Sequence, residues 1–200
     1  MAFIVFEGGD GAGKSTQIRC LSGRLRRRGY PYIITREPGG TPVGERLRRI
    51  LKNRDDITPT GELLLFVAAR HELVGQIIKP SLSSGTSVIC DRFSASTIAY
   101  QGYGQKLDLE VITSLNNLAT GDTKPDLTVF LDIPPETALS RISGRKTDKY
   151  DNSSLSFHNR VRTGFREQAK NNPESWLVLD ASLPASSTAK HIWDKVKTLL

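Results

Sequence analysis

The sequence predicts an α/β fold, a five-stranded parallel sheet with helices on both faces. Three observations carry that reading. Apolar runs of strand length recur between stretches of helical periodicity. The runs are nearly continuous in Val, Ile and Phe rather than alternating, as strands covered on both faces are. The chain has 200 residues, 38% hydrophobic and 24% charged, enough for one sizeable core and too apolar for a mainly disordered polymer. A single domain spanning residues 1–200 is expected.

In chain order, the first strand is expected at Phe3 to Phe6 and the first helix at the apolar stripe Ile18, Leu21 and Leu25. Tyr32 to Thr35 is the second strand, and Leu47 with Ile50 and Leu51 marks the second helix. A third helix is expected from near Thr60 to a stop before Pro80. It contains seven consecutive apolar residues, Leu63 to Ala69, and a helix apolar all round needs cover all round. The sheet already occupies the centre, so a second subunit is the preferred cover, and a homodimer is expected. Ser87 to Cys90, Thr128 to Leu131 and Leu177 to Leu179 complete the strands. Phe157, Val161 and Phe165 mark a further helix, and Ile192, Val196 and Leu199 the last. The polar stretch 144–154, with Arg145, Lys146 and Lys149 and no apolar period, reads as a functional loop, since long structureless loops are uncommon in compact domains.

The net charge is +7, and residues 1–54 carry 12 basic against 4 acidic side chains. An anionic partner follows from that excess, without its identity. The basic face of the first helix, Arg19, Arg24 and Arg26 to Arg28, lacks interleaved aromatics for stacking bases, so no nucleic-acid partner is expected. Cys20 and Cys90 have neither metal-ligand spacing nor the density of a disulfide scaffold. No run approaches the roughly 20 apolar residues that span a bilayer. A cytoplasmic chain with no membrane partner is the expectation.

After the first strand, Gly8-Gly9-Asp10-Gly11-Ala12-Gly13-Lys14-Ser15-Thr16 matches GxxxxGK[ST] in strand-loop-helix context. Glycines let backbone N–H groups close around phosphates, and the helix N-terminus adds its positive dipole end. ATP binding is assigned to these nine residues, with Lys14 on the β- and γ-phosphates and the Ser15 hydroxyl on Mg²⁺. Asp91 ends the third strand and would hold the same Mg²⁺ through water. Arg92 follows at the carboxyl edge, where open α/β sheets bind ligands, and its guanidinium suits a phosphate. Thr123-Lys124-Pro125-Asp126 matches a guanine-specifying string, but it precedes its strand instead of following it, and the only DxxG lies inside the phosphate loop. A GTP switch is therefore disfavoured.

With those elements in place the chain resembles the thymidylate kinases, which move the γ-phosphoryl of ATP onto dTMP in dTTP biosynthesis. The likeness rests on FEGGDGAGKST at 6–16, TREPGGT at 35–41, FVAAR at 66–70, DRFSASTIAYQG at 91–102, KPDLTVFLD at 124–132 and FHNRVRTGF at 157–165. It implies the P-loop nucleoside-monophosphate-kinase fold with a short lid at about 144–154. It also implies small-molecule partners, dTMP and ATP, with Mg²⁺ as cofactor. Phe66 matches the thymine-stacking aromatic and Arg70 the donor to thymine O4. Asp10 matches the carboxylate near the 3′-hydroxyl, while Ser96, Thr97, Tyr100 and Gln101 match the helix lining base and sugar. Arg92 matches the arginine on the dTMP phosphate. Arg36, Glu37 and Pro38 would line the acceptor side, with a cis bond before Pro38. Arg48 would be a second phosphate ligand, though a solvated helix face accounts for Arg46, Arg48 and Arg49 equally well. The phosphate loop carries no arginine, so the likeness is to the bacterial-type subgroup whose lid supplies the catalytic cation: Arg145 alongside Lys14 and Arg92, with Arg141 and Lys149 as alternatives. Another nucleoside-monophosphate kinase is the runner-up.

Overall fold

A computed structural model of the chain describes residues 1–53, 56–142, 150 and 153–200. Five strands form one parallel sheet: β1 (Phe3–Glu7), β2 (Tyr32–Arg36), β3 (Ser87–Asp91), β4 (Leu127–Asp132) and β5 (Trp176–Asp180), ordered β2-β3-β1-β4-β5. All five strand expectations hold. Alternation along each strand serves the two faces. Ile4 and Phe6 pack with Ile18, Leu21 and Leu25 of α1 (Lys14–Arg27) and with Ile192 and Val196 of α9 (Ala185–Val196). Phe3 and Val5 face Leu73, Val74, Ile78 and Phe93 on the other side. Phe130 meets Phe165 of α8 (Leu155–Asn171) at 5.2 Å between stacked rings.

The other α-helices among the described residues are α2 (Pro42–Asn53), α3 (Pro59–Leu73), α4 (Lys79–Ser83), α5 (Ser94–Thr97), continued by π-helical turns at Ile98–Gly104, α6 (Leu109–Thr120) and α7 (Pro135–Ser140). Two expectations need correction. The third helix does not stop before Pro80: π-helical turns at Val74–Ile78 shift the backbone so that Pro80 falls in the first turn of α4, where its missing N–H costs little. Helix α6 was not foreseen at all. It packs on α3 through Ile112 and Ala119 against Leu63 and Val67, while Leu118 on its outer side is 75% exposed. Two apolar faces on one short helix blur the period that would have revealed it. On α3, Leu64 is half exposed, so that helix is not central and its outer face is open.

Parallel pairing sets Phe6 opposite Asp91 and Arg36 opposite Asp91, so the carboxyl ends of β1, β2 and β3 meet at one edge. Asp126, from the GTP-like string, lies at the opposite edge, where its Oδ2 accepts from Phe3 N at 2.7 Å. Of the expected lid, Arg145, Lys146 and Lys149 lie outside the described residues. Among the described residues no helix is long and apolar enough to cross a membrane.

Candidate active site

At the carboxyl edge of the sheet a cleft of about 670 Å³ runs from the loop after β1, past the ends of β2 and β3, to the faces of α3 and α5. Its lining includes Asp10 to Thr16, Arg36, Glu37, Pro38, Arg48, Phe66, Arg70, Asp91, Arg92, Ser96, Thr97, Tyr100 and Gln101. Of the expected site residues, only Gly8 and Gly9 lie outside that lining while Arg145 is undescribed; Gly8 and Gly9 form the turn beneath.

The phosphate loop is made by backbone. Gly8 has φ 137°, and a Cβ there would sit 2.7 Å from Leu131 O, so only glycine lets the loop lie on β4. Gly13 precedes α1 with φ 96°; no described side chain caps that helix and its first turn holds no acidic residue, which leaves its N–H groups for an anion. Lys14 Nζ donates to Gly8 O and Gly9 O, both at 3.0 Å. Burial, then the Arg92 charge, pull the Lys14 pKa below its ordinary value. Phosphate oxygens would be better partners for this ammonium than two carbonyls.

Asp91 and Ser15 line the same end of the cleft. Asp91 Oδ1 is buried and lacks a hydrogen-bond partner among the described residues, an unusual state for a carboxylate oxygen. No cluster of three or more His, Cys, Asp or Glu suited to a metal occurs among the described residues. A hydroxyl and one carboxylate beside a phosphate loop suit Mg²⁺, which keeps several waters and takes its other ligands from phosphates. The donor set therefore fits the ion.

Arg92 has φ 70°, a left-handed backbone that a non-glycine residue rarely adopts. Its guanidinium donates to Gly8 O (3.0 Å), Ser96 Oγ (3.2 Å), Asp10 Oδ1 (2.9 Å) and Tyr100 Oη (3.2 Å). Beneath it lies Glu7, which sequence reading passed over. Glu7 Oε1 accepts from Phe93 N (2.9 Å) and Ser96 N (3.2 Å), and Ser96 Oγ donates to Glu7 Oε2 at 2.6 Å. A fully buried carboxylate thus caps α5 and, through Ser96, holds the Arg92 guanidinium. Burial pushes the Glu7 pKa up, against the opposing charge of Arg92. The signal for Glu7 was available, as a lone charge ending an otherwise apolar strand.

On the acceptor side Arg70 is 1% exposed. Its Nε and Nη2 donate to Glu37 Oε2 at 2.8 and 2.6 Å, Nη1 to Asn116 Oδ1 at 2.5 Å, and Nη2 to Thr97 Oγ1 at 2.8 Å. Those four bonds leave one of five guanidinium N–H groups for a ligand among the described residues. Burial raises the Glu37 pKa to about 7 despite the neighbouring Arg70, and Glu37 Oε1 has no described partner. The Glu37–Pro38 bond is cis, as expected. Phe66 lines the cleft and belongs to none of the packed apolar clusters, unlike its neighbours Leu63 and Val67. Arg36 lines the cleft with its guanidinium on Glu45 at 2.9 Å, and Arg48 Nη1 donates to Pro38 O at 2.9 Å, so the α2 arginine faces the site and is not simply solvated. Arg141, one of the lid alternatives, donates to Ala181 O at 3.0 Å at the donor end of the cleft. Asn116 and Tyr150 also escaped sequence reading: the first lies on the unforeseen α6, the second in a stretch without period.

A family model described as thymidylate kinase matches residues 6–192. A thymidylate kinase of a Synechococcus sp. is 48% identical over 198 residues, covering 99% of this chain and 96% of that one. One from Thermomicrobium roseum is 45% identical over 200 residues, with 99% and 95% covered. A crystal structure of thymidylate kinase from Ehrlichia chaffeensis superposes with a TM-score of 0.79 at 38% identity, over 100% of this chain and 98% of that one.

Proposed function

The chain belongs to the thymidylate kinase family and phosphorylates dTMP to dTDP with ATP as donor, and from that premise we propose how its residues divide the work. Residues 8–16 would cradle the ATP phosphates, with Lys14 leaving the Gly8 and Gly9 carbonyls for the β- and γ-phosphates. Ser15 and, through water, Asp91 would hold Mg²⁺, whose charge there neutralises the phosphate oxygens during transfer. Arg92 would hold the dTMP phosphate in line with the donor, and Arg48 and Arg36 would complete that grip. Asp10, already on Arg92, would take the 3′-hydroxyl, with Tyr100 and Ser96 along the sugar. Phe66 would stack on thymine and the remaining Arg70 N–H would donate to O4, with Thr97 and Gln101 beside it. Pro38 and Glu37 would shape the wall opposite. Arg145, in a lid at about 144–154 of one 1–200 domain, would bring the last cation. No general base is needed, because the acceptor phosphate is already an anion.

The observation that carries the acceptor reading is the buried Arg70 guanidinium with one N–H to spare among the described residues, beside Phe66 in the cleft lining. The test is turnover of dTMP, dUMP, dCMP, dGMP and dAMP with Mg·ATP. A preference for dTMP is expected, and turnover indifferent to the base would defeat this assignment and favour a broader monophosphate kinase.

A homodimer is part of the same reading. Support comes from Leu64 on α3 and Val111 and Leu118 on the adjoining α6, all half exposed or more. Two free thiols, one of them buried, and metabolite substrates fit a cytoplasmic enzyme.

A further inference from the structure

Among the described residues three donors converge on one buried carboxylate behind the acceptor cleft. Glu62, on α3 and 1% exposed, accepts at Oε1 from Gln101 Nε2 and Gln105 Nε2, each at 2.9 Å, and from the Tyr150 hydroxyl. The Gln101 amide nitrogen donates its other hydrogen to Tyr150 Oη at 2.8 Å. The Tyr150 ring is itself held, stacked on Phe157 at 5.7 Å and edge-on to Tyr100 at 5.2 Å. Both amide hydrogens of Gln101 are thereby used, and the Tyr150 proton goes to Glu62. Turning the amide over would point its carbonyl oxygen at a carboxylate, which accepts only. One orientation of Gln101 is therefore strongly preferred.

Gln101 lines the cleft that holds Phe66 and Arg70. With its nitrogen consumed, the polar atom it offers there is the carbonyl oxygen, for which no described residue supplies a donor. We propose that Glu62 is a positioning residue for base discrimination: it locks the Gln101 amide so that an acceptor faces the base, and the subsite takes a pyrimidine with an N3–H and a C4 carbonyl while rejecting one with a bare N3 and a C4 amine. The Gln101 oxygen receives the N3–H of thymine or uracil, and the last Arg70 N–H meets O4. Cytosine opposes both, with a lone pair against the Gln101 oxygen and an amine against the guanidinium. The inference rests on the reading that the acceptor base lies between Phe66 and Arg70.

The test compares the unmodified enzyme with Glu62→Gln, Tyr150→Phe and Gln101→Ala, measuring kcat and KM for dTMP, dUMP and dCMP at saturating Mg·ATP, with dCMP also scored by its inhibition constant. Glu62→Gln lets the Gln101 amide turn, so selectivity for dTMP over dCMP should fall by about tenfold or more, mainly through KM. The ratio of dTMP to dUMP and the KM for ATP should not move. Tyr150→Phe keeps the ring stack and releases one amide hydrogen, so it should lose selectivity in the same direction to a smaller degree. Equal losses for all three nucleotides, the mark of a merely structural carboxylate, would overturn the proposal. If Glu62→Gln does not fold, unchanged selectivity in Tyr150→Phe would overturn it instead. Gln101→Ala separates the two layers: no change in its KM for dTMP removes Gln101 from the base subsite and defeats the acceptor reading there. A raised KM in Gln101→Ala with intact selectivity in Glu62→Gln defeats the positioning role alone.

Discussion

The two ends of the cleft are built from different materials. At the donor end the phosphate loop is backbone: glycine conformations, an open helix N-terminus and one lysine resting on two carbonyls of its own loop. At the acceptor end the wall is side chain, with Arg70, Glu37, Thr97 and Asn116 joined by hydrogen bonds across α3, the loop after β2, α5 and α6. A backbone site keeps its shape when one side chain is removed, so its lysine should matter for chemistry and little for stability. A side-chain site shares its members with the core, so removing one should cost folding as well as binding.

The largest expected effect tests the first half of that contrast. Lys14→Met should lower kcat on the order of 10³-fold, the loss of a preorganised charge on the transferring phosphoryl. Because the substitution also removes a buried ammonium whose burial is unfavourable, the melting temperature should stay level or rise. A large fall in melting temperature would show the loop to depend on its lysine and would erase the distinction between the ends.

Arg70→Ala tests the second half. It strips the partner from a buried carboxylate and should destabilise the protein by about 3 to 5 kcal/mol in denaturant unfolding, together with a raised KM for dTMP. Adding Glu37→Gln should restore much of the stability and none of the dTMP affinity. An Arg70→Ala protein as stable as the parent would mean that the acceptor wall does not share the core's energetics.

The same division explains what could be read from the sequence. The phosphate loop is local: nine consecutive residues, from the end of a strand into the first turn of a helix, contain the whole device, and a spacing pattern captures it. The five strands were legible for a related reason, since burial on both faces leaves an apolar run in one stretch of chain. The acceptor network is not local. Arg70 reaches Glu37 across 33 positions and Asn116 across 46, and neither pairing leaves any trace in spacing. Arg70 and Gln101 were recovered through family resemblance, which compares whole motifs. Glu62 and Tyr150 lie outside the quoted motifs, 88 positions apart, and only the folded chain brings them together.

The smallest expected effect sharpens the contrast through pH. Glu37 has its folded-state pKa raised to about 7 by burial, against an ordinary value of 4.5. Between those two values the folded chain holds a proton that the unfolded chain has released, so stability falls as pH rises. The contribution is fully present below pH 4.5 and is lost as the pH passes through about 7, a change of about 3 kcal/mol. Other groups titrate in this window, so the quantity to measure is the stability difference between the parent and Glu37→Gln in denaturant unfolding from pH 5 to 8. The glutamine variant should gain on the parent from pH 5 to about 7 and level off above that. The cause is burial, which disfavours the charged carboxylate, and Glu37 Oε1 has no partner among the described residues to offset it. If the difference is flat with pH, Glu37 is ionised throughout, and the acceptor wall must then be treated as a permanent buried ion pair with Arg70, whose rupture in Arg70→Ala would cost more at pH 8 than at pH 6, because the orphaned buried carboxyl takes up a proton more readily at the lower pH.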